Sequence, residues 1–352
     1  MSEEFRVIDT GIRDGREQIA FDQAMIDLHA AGKIPDSVRF LRFPPTALIG
    51  RHQALSQELK LDFCRDNNIR TVRRITGGGA LYFDEGQLGW ELIFHRSTLG
   101  ISSLADLARE ICEAAALGLS KLGVDAKYRP RNDIEVDGRK ISGTGGFFDG
   151  DTLFYQGTVL VDMDAATMVA ALNVPKAKLE KKNLDSAAQR IVTLKELLEQ
   201  APAIKEIQDA LLDGFAERLG IKPERGDITQ EEEELTKAIY DDEIGTDEFV
   251  AEIDDPTSEA DVLSATHTGQ GGSVTAHVRV EGAGQNRFRE VLITGDFFVT
   301  PPRIVLDLEA ALRGTAVGEV RSTVEDFFKT AEVGLLTITP DDFSTAIENA
   351  AS

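Results

Sequence analysis

Three consecutive glycines, Gly77-Gly78-Gly79, follow Arg73-Arg74-Ile75-Thr76 and run into Ala80-Leu81-Tyr82-Phe83-Asp84. Glycine loses more conformational freedom on folding than any other residue, so such a run costs about 1.5–3 kcal/mol relative to alanine. It suits a turn whose backbone lies close to something else, with bare N–H groups free to face phosphate or carboxylate oxygens. Ile69–Ile75 reads as a strand ending at this turn. Alternate strand residues face opposite sides, so one of Arg73 and Arg74 is expected to enter a pocket while the other pairs outside it. On these residues alone, a glycine-rich turn with surface arginines is the competing reading.

Charge narrows the partners. The 352 residues carry 38 Lys+Arg against 61 Asp+Glu, a formal net charge of −23. That balance disfavours nucleic-acid backbones, so an anionic substrate needs a local basic pocket. The length suggests two domains. No apolar run approaches the roughly 20 residues of a membrane span, and the opening MSEEFRVIDT lacks a charged-then-apolar leader. Cys64 and Cys112 cannot build a disulfide framework. A cytoplasmic protein with no membrane or nucleic-acid partner, favoured as a monomer, is expected.

Hydrophobic periodicity outlines the elements. Gln18–Leu28 reads as an amphipathic helix, and Arg39–Phe43 and Ala47–Gly50 as strands around Pro44-Pro45. A helical stretch follows to about Asn67, then strands at Ala80–Phe83 and Gly89–His95. Leu104, Leu107, Ile111, Ala115, Leu119 and Leu122 recur at helical spacing, with Ser102 or Ser103 as cap. A loop is expected over 178–189, then helices at Leu194–Glu199 and Ile204–Leu219, the second stopped by Gly220. From Ile228 to Val262 there are 14 acidic residues and one Lys, read as a solvated connector helix plus linker. Beyond it, a hairpin of Gly272–Val280 with Arg287–Thr294 and helices at Leu306–Leu312 and Thr323–Phe328 make a smaller unit.

Asn132-Asp133-Ile134-Glu135-Val136-Asp137-Gly138-Arg139-Lys140-Ile141-Ser142-Gly143 is a second constellation. Asp137-Gly138 is a two-residue hairpin turn. It would pair Val136 with Arg139, Glu135 with Lys140 and Ile134 with Ile141. Asp133, Glu135, Lys140 and Ser142 then share one face, with Ile134 and Ile141 on the core face. A wet Glu135–Lys140 pair is one reading. A lysine aimed at an anion, beside an acidic residue suited to a metal, is the other. The third feature is the strand Phe154-Tyr155-Gln156-Gly157-Thr158-Val159-Leu160, whose glycine marks a close approach of ligand or backbone. Walker-type and dinucleotide glycine motifs, His-Glu-x-x-His, Cys-x-x-Cys and Gly-x-Ser-x-Gly are absent, and the five His are scattered.

Taken together and in this order, the motifs resemble the lipoate–protein ligase A family. The matches are Arg73 to Ala80, Tyr82, Asp84, Asn132, Asp133, Gly138 to Gly143, and Gly157 with Thr158, with Ile49-Gly50-Arg51-His52-Gln53 upstream. Gly272-Ser273-Val274 and Ile293-Thr294-Gly295-Asp296-Phe297-Phe298 resemble the family's accessory domain. Phe83 and Gln156 stand where the family has His, Gln87 where Asn is frequent, and Ala54 where Asn is common.

The resemblance implies an α+β fold: a large mixed-sheet catalytic domain over residues 1–225, an acidic helical linker over 226–255 and an α+β accessory domain over 256–352. It implies ATP-dependent activation of lipoate to lipoyl-AMP, release of pyrophosphate, and transfer to a lysine of a lipoyl domain, a glycine-cleavage H protein or a related lipoate-binding protein. By the same resemblance Lys140 is the catalytic lysine and Asp133 the residue near magnesium. Arg73, Arg74, Thr76, Gly77, Gly78, Gly79, Ala80, Leu81, Tyr82, Phe83, Asp84, Asn132, Gly143, Gln156, Gly157 and Thr158 bind substrate or nucleotide. Competing readings are an octanoyl or lipoyl transferase that uses no ATP, a biotin ligase lacking its own Gly-Arg-Gly-Arg signature, and a non-catalytic subunit that binds lipoyl-adenylate.

Overall fold

In the first strand, Glu4–Ile12, Phe5 and Val7 face one apolar core and Ile8 another, so both sides are buried. A strand covered on both faces belongs inside a sheet. The computed structural model, which describes residues 4–352 except 102, 131, 174–188, 259, 285, 332 and 337, places it in an eight-stranded sheet. The order is Lys222–Arg225, Glu4–Ile12, Ser37–Arg42, Gln87–His95, Thr152–Leu160, Arg139–Asp149, Asp133–Val136, Lys127–Arg129. The first two pairings are parallel and the other five antiparallel. This is the expected mixed-sheet α+β architecture. No helix among the described residues is long and apolar enough to cross a membrane.

Helices Leu104–Ser120 and Ile204–Leu219 cover one face of the sheet. They approach closely because each has a glycine at the crossing. A Cβ on Gly118 would lie 2.5 Å from Ala210 O, and one on Gly214 2.3 Å from Ala114 O. Ser103 caps the first helix, and Gly220, in the left-handed region, ends the second. The other face carries helix Gly15–Ala30, capped by Asp14. A three-stranded sheet ordered Arg70–Arg73, Thr46–Ile49, Leu81–Phe83 completes this part of the chain. The loop expected over 178–189 lies, apart from its last residue, outside the described residues.

Two expectations change. The hairpin turns at Asp137-Gly138, both at positive φ, with Val136 opposite Arg139 and Glu135 opposite Lys140. Between Ile134 and Glu135 the register slips, so Ile134 faces Ser142 and Asp133 faces Gly143. A bulge re-aims every side chain beyond it, which is why Ser142 is buried rather than on the wet face. The acidic stretch, in turn, is not a solvated connector throughout. Helix Gln230–Ile239, a π turn Tyr240–Ile244 and a short helix Asp247–Val250 pack on helix Gly15–Ala30 and its neighbours. Glu232 is fully buried against Arg6 at 2.5 Å, and Arg13–Glu233, Arg16–Asp247, Lys33–Glu231 and Arg51–Glu252 pairs fasten the rest.

Residues after 262 bury a core of their own around Val274, Phe288, Ile293, Leu308 and Phe343. Leu263–Gly269 joins the expected hairpin as a third strand, helices Ile304–Leu312 and Pro340–Ala350 pack on the sheet, and Val320–Thr330 packs on those two helices. Strand Phe298–Thr300 pairs with Gly334–Leu336.

Candidate functional site

A cavity of about 540 Å³ opens between the sheets. Fifteen of the sequence-derived residues are on its wall: Arg74, Gly77, Gly78, Gly79, Ala80, Leu81, Tyr82, Phe83, Asn132, Asp133, Lys140, Gly143, Gln156, Gly157 and Thr158. Arg73, Thr76 and Asp84 are not.

The two arginines part as strand alternation requires. Arg73 is fully buried away from the cavity. Its guanidinium is spent on backbone carbonyls: Gly50, Arg51 and Gln53 on one side, Phe249, Val250 and Ile253 on the other, at 2.7–3.3 Å. It therefore ties the acidic segment to the 50–53 loop and touches no ligand space. Arg74 faces the cavity and shapes the glycine turn. Its Nη2 donates to Gly77 O at 2.7 Å and Gly79 O at 2.9 Å, and its Nε to Thr76 Oγ1 and Gly77 O, both at 3.1 Å. Peptide planarity then turns the N–H groups of Gly78 and Ala80 away from Arg74. Arg74 Nη1 is buried without a partner. Burial with no counter-ion pulls this guanidinium down to about 10, so it remains a cation at neutral pH awaiting an anion. Gly50 is obligatory beneath the turn, since a Cβ there would sit 2.0 Å from Gly78 O.

The glycines are not left bare for a ligand, as the sequence suggested. Gly78 N donates to Phe297 O at 3.1 Å. A Cβ on Gly77 would lie 2.2 Å from that same oxygen, and one on Gly78 2.6 Å from Phe298 Cζ. Gly145 meets the Phe298 ring from the opposite wall, 2.4 Å from where its Cβ would be. Two glycines of the run thus admit a turn of the second unit. Gly79 alone keeps ordinary distance, with Asp296 Cβ at 3.7 Å. Gly157, too, is needed for protein packing: its missing Cβ would lie 2.2 Å from Trp90 Cζ2.

Lys140 projects from the bulged hairpin. Its Nζ meets Asp133 Oδ1 at 2.7 Å, while Glu135 pairs with Arg129 instead. Gly143, opposite Asp133, leaves room for this ammonium: a Cβ there would be 2.6 Å from Nζ. Lys140 N donates to Arg190 O at 2.8 Å, fixing the strand edge. Asn132 Nδ2 donates to Thr144 O at 2.6 Å, and Gln156 Nε2 to Thr76 Oγ1 at 2.8 Å. Thr76 therefore acts behind the wall, joining Arg74 to Gln156. Asp84 accepts from Gly86 N and Asp164 N and closes the turn after Phe83. One stretch of the wall is apolar, formed by Leu41, Phe43, Leu48, Leu81, Phe83 and Met163, with the Phe43 and Phe83 rings 4.6 Å apart.

Sequence reasoning missed two contributions. Asp296, Phe298 and Leu336 reach the cavity from the second unit. Asp22 and Glu91 line it from the first, and the signal for Glu91 was a charged residue set inside the apolar run Trp90-Glu91-Leu92. Neither cysteine lines the cavity. Cys64 and Cys112 are buried, and burial pushes both thiols up. Among the described residues no three His, Cys, Asp or Glu gather to hold a metal.

The cavity thus brings two cations, Arg74 and Lys140, to one end of an apolar stretch of wall, and neither cysteine is among its lining residues. The profile of the lipoyl protein ligase A/B catalytic domain matches residues 14–216, and the chain belongs to that family. It is 30% identical over 244 residues to lipoate-protein ligase A subunit 1 of Thermoplasma acidophilum, covering 66% of this chain and 91% of that one. It is 27% identical to octanoyltransferase LipM of Symbiobacterium thermophilum, covering 71% and 98%. A crystal structure of lipoate-protein ligase A bound with ATP superposes with a TM-score of 0.62 at 25% identity, covering 72% and 100%. P. falciparum LipL1 in complex with lipoate shares the fold over 98% of both chains, with a TM-score of 0.73 at 15% identity.

Proposed function

We propose that the protein is an ATP-dependent lipoate–protein ligase that acts in the cytoplasm, with residues 1–225 as catalytic domain, 226–255 as connecting strap and 256–352 as accessory domain. Its acceptor is a lipoyl domain, a glycine-cleavage H protein or a related lipoate-binding protein. One observation carries the reading: Arg74, with an unpartnered buried N–H, and Lys140 face a single cavity that also holds an apolar stretch of wall. Two cations are what a carboxylate and a triphosphate need in order to meet.

In the first step a lipoate carboxylate oxygen attacks the α-phosphorus of ATP. The bond to the β-phosphate oxygen breaks, and pyrophosphate leaves with the electron pair. In the second, an uncharged lysine amine of the acceptor attacks the acyl carbon. The carbon–oxygen bond to AMP breaks, AMP departs as an anion, and the amine gives up a proton to solvent. Lys140 exchanges Asp133 for the ligand's oxygens and stabilises the charge that develops on them. Leu81, Phe83 and Phe43 hold the acyl chain. Asp133 is one oxygen ligand, which suits magnesium only when nucleotide phosphates supply the others. Bound in that way, the ion neutralises phosphate charge.

The resemblance to octanoyltransferases favours a second reading, acyl transfer through a cysteine thioester without ATP. Both buried thiols speak against it, because a nucleophilic cysteine must be reachable and readily ionised. The test is mass spectrometry for lipoyl-AMP and for a modified acceptor, with and without ATP, in the wild type and in Cys64→Ala and Cys112→Ala. The ligase makes the adenylate in all three. Acceptor modification that needs no ATP and disappears with a cysteine variant would overturn the proposal.

A further inference from the structure

One departure from the family pattern, Phe83 where the family has His, has no part in the adenylation chemistry. The structure sets its ring on the apolar stretch of the cavity wall beside Phe43. The two residues are 5% and 3% exposed, with ring centroids 4.6 Å apart and planes inclined at 34°. A lining for plain hydrocarbon is built as well from aliphatic side chains, and the same stretch already holds Leu41, Leu48 and Leu81. Two rings side by side add what leucine lacks, π-systems with a negative face and a positive edge.

Their place in the cavity decides what meets them. Strand Leu81–Phe83 runs antiparallel to Thr46–Ile49, with Leu81 opposite Leu48 and Phe83 opposite Thr46. Alternation turns Leu81 and Phe83 toward Phe43 and Leu48, and Tyr82 away from them into a separate apolar cluster. Arg74 Nη2 holds Gly79 O just before this strand. The four residues from there to Phe83 span at most about 14 Å. A carboxylate at the unpartnered Arg74 Nη1 therefore leaves the opposite end of a medium-length acyl chain at the rings. Asp22 and Glu91 reach the same stretch, but both are bound to Arg39 and to each other. The rings are left to meet the end of the chain.

Divalent sulfur is polarizable and gains from contact with an aromatic ring, most often at the ring edge, without needing a donor or an acceptor. A methylene in the same place gains only dispersion. We propose that Phe43 and Phe83 form a sulfur-recognising subsite, which favours an acyl chain ending in a disulfide ring over one ending in hydrocarbon. The inference rests on the assignment of this cavity to the acyl chain. Phe83 is its specificity-determining residue, and Phe43 supplies the second ring.

The test compares lipoate with 5-cyclopentylpentanoate, its counterpart with both sulfurs replaced by carbon. Dissociation constants are measured by calorimetry on the full chain, and acyl-AMP formation from ATP is followed in parallel. The two acids differ in their own transfer from water, so the readout is the ratio of their affinities and its change between variants, in which that difference cancels. Phe83→Leu moves the ratio against lipoate by about threefold or more, and Phe43→Leu moves it the same way. Leu48→Val, an aliphatic change on the same wall, leaves the ratio within about twofold of wild type. A crystal of the wild type with lipoate, which needs no variant to fold, places a sulfur about 5 Å from one of the two rings. A ratio unmoved by both ring substitutions overturns the inference, and so does an equal shift in Leu48→Val or a bound lipoate whose sulfurs lie away from both rings. If the ratio shifts but neither acid yields acyl-AMP, the ligase reading fails and the subsite stands. If acyl-AMP forms and the ratio does not move, the reverse is true. Binding of neither acid removes both.

Discussion

Replacing Gly157 by alanine places one methyl group in a space that is already full. Gly157 and Trp90 are directly opposed on adjacent strands, so their side chains share a face. The new Cβ would lie 2.2 Å from Cζ2, 2.4 Å from Cε2 and 2.8 Å from Nε1 of an indole that is completely buried. Carbon atoms pack at about 3.5–4.0 Å, so either the ring or the strand must move by more than 1 Å. Trp90 is wedged against Tyr155 and Phe215 and has no solvent to retreat into. Overpacking of this kind costs about 1–3 kcal/mol, and the upper end applies where the obstacle is a rigid ring. About 3 kcal/mol lowers the melting temperature by about 6–12 °C in a domain of 150–250 residues. The check is a double-mutant cycle followed by thermal denaturation. Trp90→Leu alone loses about 2–4 kcal/mol by leaving a cavity. Adding Gly157→Ala to it costs little more, because the methyl now enters vacated space. The cycle therefore shows a coupling of about 2–3 kcal/mol. A Gly157→Ala variant melting within about 2 °C of wild type, or two losses that simply add, would refute the packing argument.

Three further outcomes follow from the site and its supports. Arg73→Lys breaks the six-carbonyl tie and lowers stability by about 2–4 kcal/mol while the affinity for a free acid stays within about twofold; Arg74→Lys loses ligand affinity at least tenfold. Calorimetry beside thermal melting separates the two, and equal behaviour of both variants would contradict their placement. Lys140→Ala retains the wild-type circular dichroism spectrum and melting temperature but forms no acyl-AMP or transfers none of it; normal acceptor modification would remove the catalytic role. For Glu232, burial raises the carboxyl but the Arg6 and Thr229 hydrogen bonds outweigh it, so the folded state holds it below the ordinary range. Its contribution is therefore complete above about pH 4.5 and is lost as the pH falls through the depressed value. Glu232→Gln is less stable by about 1–3 kcal/mol at pH 7 and shows a shallower decline below pH 4.5, as read by urea titrations at several pH values.

What could be read directly from the residues was whatever rests on neighbours in sequence. Asp137-Gly138 specifies a tight turn by its own torsions. Gly220 ends a helix because it accepts the left-handed region. The parting of Arg73 and Arg74 follows from alternation alone. The hairpin bulge did not declare itself, since no glycine or proline marks the slip between Ile134 and Glu135. Strand Glu4–Ile12 stayed hidden because Arg6 and Asp9 break its apolar pattern. Arg6 is neutralised by Glu232, 226 positions away, and Asp9 accepts from Gln208, 199 positions away. The same distance effect concealed the use of Gly77 and Gly78. Their sequence announces a close approach, but not that the approaching group is Phe297-Phe298 rather than a ligand.

The ion pairs that fasten the acidic segment have a consequence for encounter. Four arginines and a lysine from the first 51 residues are paired with its carboxylates. Those pairs cancel charge for charge, so the molecule's formal balance of −23 is left to the remaining residues and faces whatever approaches. An acidic partner protein will be met by repulsion, and its association rate should rise as added electrolyte shortens the Debye length toward about 8–10 Å. Complementarity at short range, rather than long-range attraction, must then bring such a partner to the mouth of the cavity.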